Sequence, residues 1–141
     1  MLIYLVNMLL ISCAVLIHYQ ALSYLSLYIP RWVIRHHARV LASVLGCLCA
    51  HVIEIWLFGI AYYVIHLEGS LGSLVGSFTG TLMDSVYFSF SAYTSLGIGD
   101  IEPVGDVRFL AGLEALTGLV LIAWTASFVF LEMNRYWRTK K

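Results

Sequence analysis

Residues 89–103 read Ser-Phe-Ser-Ala-Tyr-Thr-Ser-Leu-Gly-Ile-Gly-Asp-Ile-Glu-Pro, and two glycines at alternating positions, Gly97 and Gly99, stand near the centre. Glycine reaches positive φ without steric penalty. A backbone that alternates between right- and left-handed conformations can turn successive carbonyl oxygens to one side, where they replace the water shell of a cation in a narrow pore. Ser95 before the glycines and Asp100 after them add side-chain oxygens. This segment predicts an ion-coordinating loop.

Long apolar segments flank this loop. Of 141 residues, 61% are hydrophobic and 11% are charged, whereas a soluble domain holds roughly 45–50% apolar and about 25% charged residues. A membrane helix needs about 20 mostly apolar residues, and residues 2–28, 40–66 and 107–133 qualify. Residues 82–93 are apolar but too short to span, so they predict a re-entrant helix covered by protein.

The charges are divided between the two sides of these spans. Seven of the eight basic residues lie on one side: Arg31, Arg35, Arg39, Arg135, Arg138, Lys140 and Lys141. Five acids lie between the second and third spans: Glu68, Asp84, Asp100, Glu102 and Asp106. The positive-inside rule therefore predicts a multi-pass protein of the cell membrane with its N-terminus outside and its C-terminus in the cytoplasm. The net charge of zero gives no reason to expect nucleic acid.

We predict two units along the chain. Residues 1–39 form an N-terminal membrane helix with a basic cytoplasmic linker, and residues 40–141 form a pore domain. The pore domain divides into an outer helix (40–66), an extracellular loop (67–81), a pore helix (82–94), a filter (95–100), an inner helix (107–133) and a basic tail. The Gly- and Ser-rich loop is expected to be flexible, and Thr81 with Asp84 predicts a capping box that starts the pore helix.

Residues 94–100, Thr-Ser-Leu-Gly-Ile-Gly-Asp, resemble the potassium-channel signature T-T-V-G-Y-G-D. Residues 40–133 as a whole resemble the outer helix, pore helix, filter and inner helix of small prokaryotic potassium channels, preceded here by one extra helix. The resemblance implies an all-α membrane protein that assembles with itself as a tetramer around a central pore. It also implies contact with membrane lipids, passive potassium conduction, no small-molecule substrate, and no cofactor besides the permeant potassium ion.

The resemblance assigns ion-binding positions to Ser95, Leu96, Gly97, Ile98, Gly99 and Asp100. Carbonyl oxygens of residues 95–98 would coordinate potassium, the Ser95 hydroxyl would line the innermost site, and Asp100 would lie at the outer mouth. Leu96 replaces the usual valine, and Ile98 replaces an aromatic residue that packs against the pore helix. Because Ile98 cannot donate a hydrogen bond, a non-selective or sodium-permeable pore of the same fold is the alternative.

Two residues of the third span are candidates for supporting roles. A carboxylate in hydrocarbon is costly, so Glu114 is predicted to brace the filter or pore helix through Ser91 or Thr94. The alternative is a protonated acid whose hydrogen bonds are made within the helix bundle. Gly118 is a candidate gating hinge, and close helix packing is the alternative. Thr125 is a candidate cavity position.

A second cluster falls on the second span. Cys47, His51 and Glu54 are spaced i, i+4 and i+7, so they share one helix face, and His18 on the first span can join them. The cluster could bind a soft divalent metal, which makes a membrane metal- or haem-binding protein the alternative of another class. Otherwise a His51–Glu54 pair couples the first span to the pore. The sequence contains no Ser-His-Asp arrangement, phosphate loop or H-E-x-x-H motif, so no enzyme is expected.

Overall fold

The structure, a computed structural model, describes residues 2–31 and 35–137. Within these ranges the elements follow as α1 (Leu2–Tyr28), α2 (His36–Glu68), β1 (Ser73–Gly76), α3 (Leu82–Tyr93), β2 (Ile101–Val104) and α4 (Val107–Trp137), with a 3-10 turn after α1 at Ile29–Arg31. Arg138, Lys140 and Lys141 of the predicted basic tail lie outside the described residues.

Three of these helices, α1, α2 and α4, are long and apolar enough to cross a membrane. Their outer faces carry large, exposed apolar side chains. On α1, for example, Leu5, Met8 and Leu16 are each at least 60% exposed. Such surfaces are stable in lipid and costly in water. The predicted fold class, a mainly helical multi-pass membrane protein, is confirmed, and α2 and α4 extend a few residues beyond the predicted spans.

The short helix α3 begins with the predicted cap. The Thr81 hydroxyl accepts a hydrogen bond from the Asp84 amide at 3.1 Å. The returning half of the box is absent, because the Asp84 carboxylate accepts instead from the amide and the hydroxyl of Thr79, at 2.8 and 2.5 Å. These two hydrogen bonds hold the pKa of Asp84 below its usual value. The carboxylate thus joins the preceding loop to the first turn of α3.

The loop between α2 and α3 is more ordered than the sequence predicted. β1 pairs with β2 in antiparallel register, with Ser73 opposite Val104 and Gly76 opposite Ile101. A Cβ on Gly72 would lie 2.1 Å from the carbonyl oxygen of Val104. The prediction of a flexible loop is therefore wrong at residues 73–76. The glycines there permit two backbones to approach closely rather than leaving the chain mobile.

α3 is packed between α2 and α4. On α2, Phe58 and Tyr62 are fully buried, and the Tyr62 ring meets the Phe88 ring of α3 edge to face at 4.9 Å between centroids. A Cβ on Gly59 would lie 2.8 Å from the Cα of Val86, so a small residue there lets α2 and α3 approach closely. α1 packs on the outside of this unit against α2 and α4.

We expect Thr81→Ala to lower the free energy of unfolding by about 1 kcal/mol, because it removes the acceptor for the Asp84 amide at the start of α3. Thermal unfolding of the purified protein in detergent measures the change. Ser77→Ala is the control, since Ser77 is an exposed residue of the same loop. Equal stability of the two variants would contradict the assigned cap.

Candidate functional site

The chain after α3 has the alternating backbone that an ion-coordinating loop needs. Ser95, Gly97 and Gly99 have φ values of 56°, 61° and 82°, while Leu96 and Ile98 between them do not have positive φ. Among the described residues, Ser95 is the one residue other than glycine in the left-handed region. Left-handed backbone costs a non-glycine residue roughly 1–2 kcal/mol. Strain of this kind is concentrated at functional sites.

The amide groups of this loop are held by the last turns of α3. The amides of Ser95 and Leu96 donate to the carbonyl oxygens of Ala92 and Ser91, both at 2.9 Å. The Ile98 amide donates to the Ser91 hydroxyl oxygen at 3.2 Å. Among the described residues, no hydrogen bond goes to a carbonyl oxygen of residues 95–99. Within residues 95–99, three amides are therefore bound to α3, while the carbonyl oxygens are free among the described residues.

The outer end of the loop is fixed at Asp100. Its carboxylate accepts a hydrogen bond from the Ile101 amide at 3.0 Å and interacts with the Tyr87 hydroxyl of α3. Its carbonyl oxygen accepts from the Ser77 amide at 2.8 Å. Asp100 thus connects the end of the loop both to α3 and to the end of β1.

In the single chain the loop lies on the surface. All residues from Thr94 to Asp100 are exposed, and the apolar side chains of Leu96 and Ile98 are 66% and 52% exposed. Residues that carry unbound carbonyl oxygens and uncovered apolar side chains can be buried only against something outside this chain.

Glu114 is fully buried on α4 and touches both neighbouring helices. The Tyr62 hydroxyl of α2 donates to its Oε2 at 2.5 Å, and the Ser89 hydroxyl of α3 lies 2.6 Å from its Oε1. The predicted contact with the pore helix exists, but the predicted partners are wrong. Ser91 accepts from Ile98, and the Thr94 hydroxyl donates to the Phe90 carbonyl oxygen at 2.8 Å.

The donors around Glu114 fit a neutral acid. Ser89 has one hydroxyl proton, and its oxygen also lies 2.8 Å from the Ile55 carbonyl oxygen on α2. If the Ser89 proton goes to Ile55, then a protonated Glu114 can donate to the Ser89 oxygen, and all three contacts are satisfied at once. A neutral acid also avoids the large cost of an unpaired charge in the membrane interior.

Gly118 lies where α4 crosses the end of α3. A Cβ on this residue would lie 2.1 Å from the carbonyl oxygen of Tyr93. The close packing of α3 on α4 therefore requires a glycine at this position. This is the role that we gave as the alternative to a hinge. Gly112 on the same helix has open space around its Cβ position. Bending of α4 at Gly118 stays a prediction.

The histidine cluster of the second span is assembled as the spacing suggested, with a further partner. Glu54 is fully buried; its Oε1 accepts from His18 Nδ1 at 2.9 Å, and its Oε2 lies 3.2 Å from His51 Nδ1. The Tyr93 hydroxyl, on the last residue of α3, also donates to Glu54. α1, α2 and the end of α3 are thus connected through one carboxylate. Thr125 of α4, a candidate cavity or gate position, lies against both histidines, at 3.0 Å from His51 Nε2 and 3.3 Å from His18 Nε2.

A sequence model described as "Ion channel" matches residues 50–134, which hold most of α2, all of α3, the loop and most of α4. The chain belongs to the ion channel family. Protein LctB of Geobacillus stearothermophilus is 35% identical over 84 residues, which are 55% of this chain and 63% of that protein. The chain thus spans less than two thirds of that relative's length. No solved structure matches.

The ion channel match contains the loop at residues 94–100 together with Glu54, Glu114 and Gly118. α1, with His18, lies outside it. Sequence reasoning missed Ser89, Tyr62 and Tyr93 as partners of the buried acids. A hydroxyl on an apolar membrane helix was the available signal, because such a group needs a partner inside the bundle.

We expect Glu114→Leu to destabilise this ion channel by about 1–3 kcal/mol, because it leaves the Tyr62 hydroxyl buried without an acceptor. Glu114→Gln should retain most of the stability, since an amide can accept from Tyr62 and donate to Ser89 in place of a neutral acid. Thermal unfolding in detergent compares the two variants. A Glu114→Gln protein as unstable as Glu114→Leu would show that the carboxyl group itself is required.

Gly118→Ala should cost about 1–3 kcal/mol, because the added methyl group overlaps the Tyr93 carbonyl oxygen and either α3 or α4 must shift. The matched control is Gly112→Ala on the same helix, which we expect to be neutral or slightly stabilising because its methyl group enters open space. Unfolding temperatures of both variants test this difference. Equal effects would contradict the close packing of α3 on α4.

Proposed function

We propose that the chain conducts potassium ions passively as a homotetramer around a central pore. The observation that carries this proposal is the alternating backbone at Ser95, Gly97 and Gly99, followed by Asp100. Membership of the ion channel family supports the general activity, and the resemblance of residues 94–100 to the potassium-channel signature supports the choice of ion.

In this proposal the loop replaces the water shell of the ion. The carbonyl oxygens of residues 95–98 coordinate potassium together with those of three further copies, and Gly99 completes the alternation. The Ser95 hydroxyl contributes at the inner end, and the Asp100 carboxylate raises the local cation concentration at the outer end. The C-terminal end of α3 immediately precedes the loop, so its partial negative charge also favours a cation there.

The proposal requires several copies of the chain, because one chain lacks part of the coordination that a cation needs. One loop presents carbonyl oxygens from one side only, whereas a dehydrated cation needs oxygens around it. The exposed Leu96 and Ile98 side chains are covered when further copies pack around the same axis. The number four rests on the resemblance to potassium channels.

The orientation of the chain in the membrane rests on the positive-inside rule, by which the N-terminus is outside and the C-terminus is in the cytoplasm.

Ile98 favours a second candidate, a non-selective or sodium-permeable pore of the same fold. Its side chain is half exposed, and its amide is held by a single hydrogen bond to the Ser91 hydroxyl oxygen. An isoleucine cannot add the side-chain hydrogen bond that an aromatic residue with a hydroxyl supplies. A loop with fewer supports can adjust to ions of different radius.

We expect purified protein in planar bilayers, with a potassium gradient balanced by sodium, to give a reversal potential close to the potassium equilibrium potential. Gly99→Ala should abolish the current, because alanine resists the positive φ at this position at a cost of about 1–2 kcal/mol. Gly112→Ala, which meets open space, should conduct normally.

Three results would count against the proposal in different ways. A reversal potential near zero would favour the non-selective pore. An unchanged current in Gly99→Ala would remove the loop from the ion pathway. Particles that are monomers or dimers by mass photometry would overturn the tetramer.

A further inference from the structure

We propose that His18, His51, Glu54 and Tyr93 form a binding site for one divalent transition metal ion of the zinc class. The site lies between α1, α2 and the end of α3, apart from the loop at residues 94–100, and it is independent of the proposed conduction. Its donors are two imidazole nitrogens, a carboxylate oxygen and a phenol oxygen. Imidazole nitrogen and carboxylate oxygen are donors that zinc takes in four-coordinate sites, and the Tyr93 oxygen would complete the set.

The distances between the donor atoms suit a tetrahedral ion. One atom from each of His18, His51 and Glu54 can be chosen so that all lie within 4.8 Å of one another. Direct neighbours are 2.9 Å (His18 Nδ1 to Glu54 Oε1), 3.2 Å (His51 Nδ1 to Glu54 Oε2) and 2.8 Å (His51 Nδ1 to the Tyr93 oxygen). Bonds of 2.0–2.2 Å in a tetrahedral zinc site place the ligand atoms about 3.3–3.5 Å apart. Around a bound ion, each of these three contacts would lengthen by a few tenths of an ångström.

The second nitrogens of the two histidines supply an independent observation. His18 Nε2 and His51 Nε2 both face the Thr125 hydroxyl oxygen of α4, at 3.3 and 3.0 Å. Histidines that bind a metal usually hold their other ring nitrogen in a hydrogen bond, which fixes the tautomer and the ring orientation. Here one hydroxyl serves both rings.

Counting protons shows why a metal fits these contacts. Without one, two neutral imidazoles that give their Nδ1 protons to Glu54 have two Nε2 acceptors, and Thr125 has one proton to offer. With a metal on both Nδ1 atoms, each ring carries its proton on Nε2. Both Nε2–H groups can then donate to the two lone pairs of the Thr125 oxygen. The Thr125 proton is free for its other neighbour, the Cys47 sulfur.

The charge of the site also suits a cation. The carboxyl group of Glu54 is completely buried in a membrane helix, where a negative charge needs a compensating cation. The His51 side chain is 11% exposed, whereas the side chains of His18 and Glu54 are fully buried. A bound ion would hold α1, through His18, against the last residue of α3.

The test uses the full chain in detergent with Zn²⁺ or Co²⁺ alone. Elemental analysis after removal of free metal should give one zinc per chain, and cobalt should show the strong visible absorption of a tetrahedral site. His18→Ala and His51→Ala should lose both signals. His37→Ala, an exposed histidine at the start of α2, is the matched control and should retain them.

Thr125→Val tests the arrangement without removing a ligand. It preserves the side-chain shape but removes the shared Nε2 partner, so we expect zinc affinity to fall about 10–100-fold. This variant also decides the matter if the histidine variants fail to fold. The proposal is overturned if wild-type protein binds no zinc, if bound cobalt is octahedral, or if Thr125→Val binds as tightly as wild type. None of these readouts depends on ion conduction, so they remain valid whether or not the loop conducts potassium.

Discussion

Within the membrane, backbone that leaves a helix must find partners for its amide and carbonyl groups, because lipid offers none. The loop after α3 meets this requirement for three of its amides and for none of its carbonyl oxygens among the described residues. The amides of Ser95, Leu96 and Ile98 are taken up by Ala92 and Ser91 in the last turns of α3. The carbonyl oxygens of residues 95–99 are free among the described residues. A loop whose carbonyl oxygens are unbound is suited to a cation, and the contacts that hold α3 also hold the three amides that it binds.

α3 is held at its beginning, its middle and its end by polar side chains of other segments. Thr79 binds Asp84 in the first turn, Glu114 of α4 reaches Ser89 in the middle, and Glu54 of α2 reaches Tyr93 at the end. Apolar contacts between helices gain little in lipid, because lipid tails are equally apolar. Polar contacts and close approach at glycines therefore specify how the helices fit. Gly59 and Gly118 supply that approach on the α2 and α4 sides of α3.

The sequence predicted the parts that depend on local composition. Apolar run length gave the three spans, and glycine spacing gave two of the three left-handed positions of the loop, Gly97 and Gly99, but not Ser95. It could not give the partners of Glu114, because Ser89 and Ser91 lie on different faces of α3. The choice between them depends on the rotation of that helix, which packing sets. The pairing of β1 with β2 could not be predicted either, because four-residue strands with glycines carry no periodic signal. The contacts of Thr125 with the two histidines depend in the same way on the rotation of α4.

α1 lies outside the ion channel match, yet its buried face joins the apparatus that positions the loop. His18 and Asn7 are eleven residues apart, which is three helical turns, and both are buried on the face that includes Leu10 and Ala14. A polar side chain on a membrane helix is expensive toward lipid, and both of these side chains lie on the face of α1 that is turned away from lipid. On that face His18 meets Glu54, and Glu54 meets the last residue of α3. Two hydrogen bonds therefore connect α1 to Tyr93, the last residue of α3, which precedes the loop.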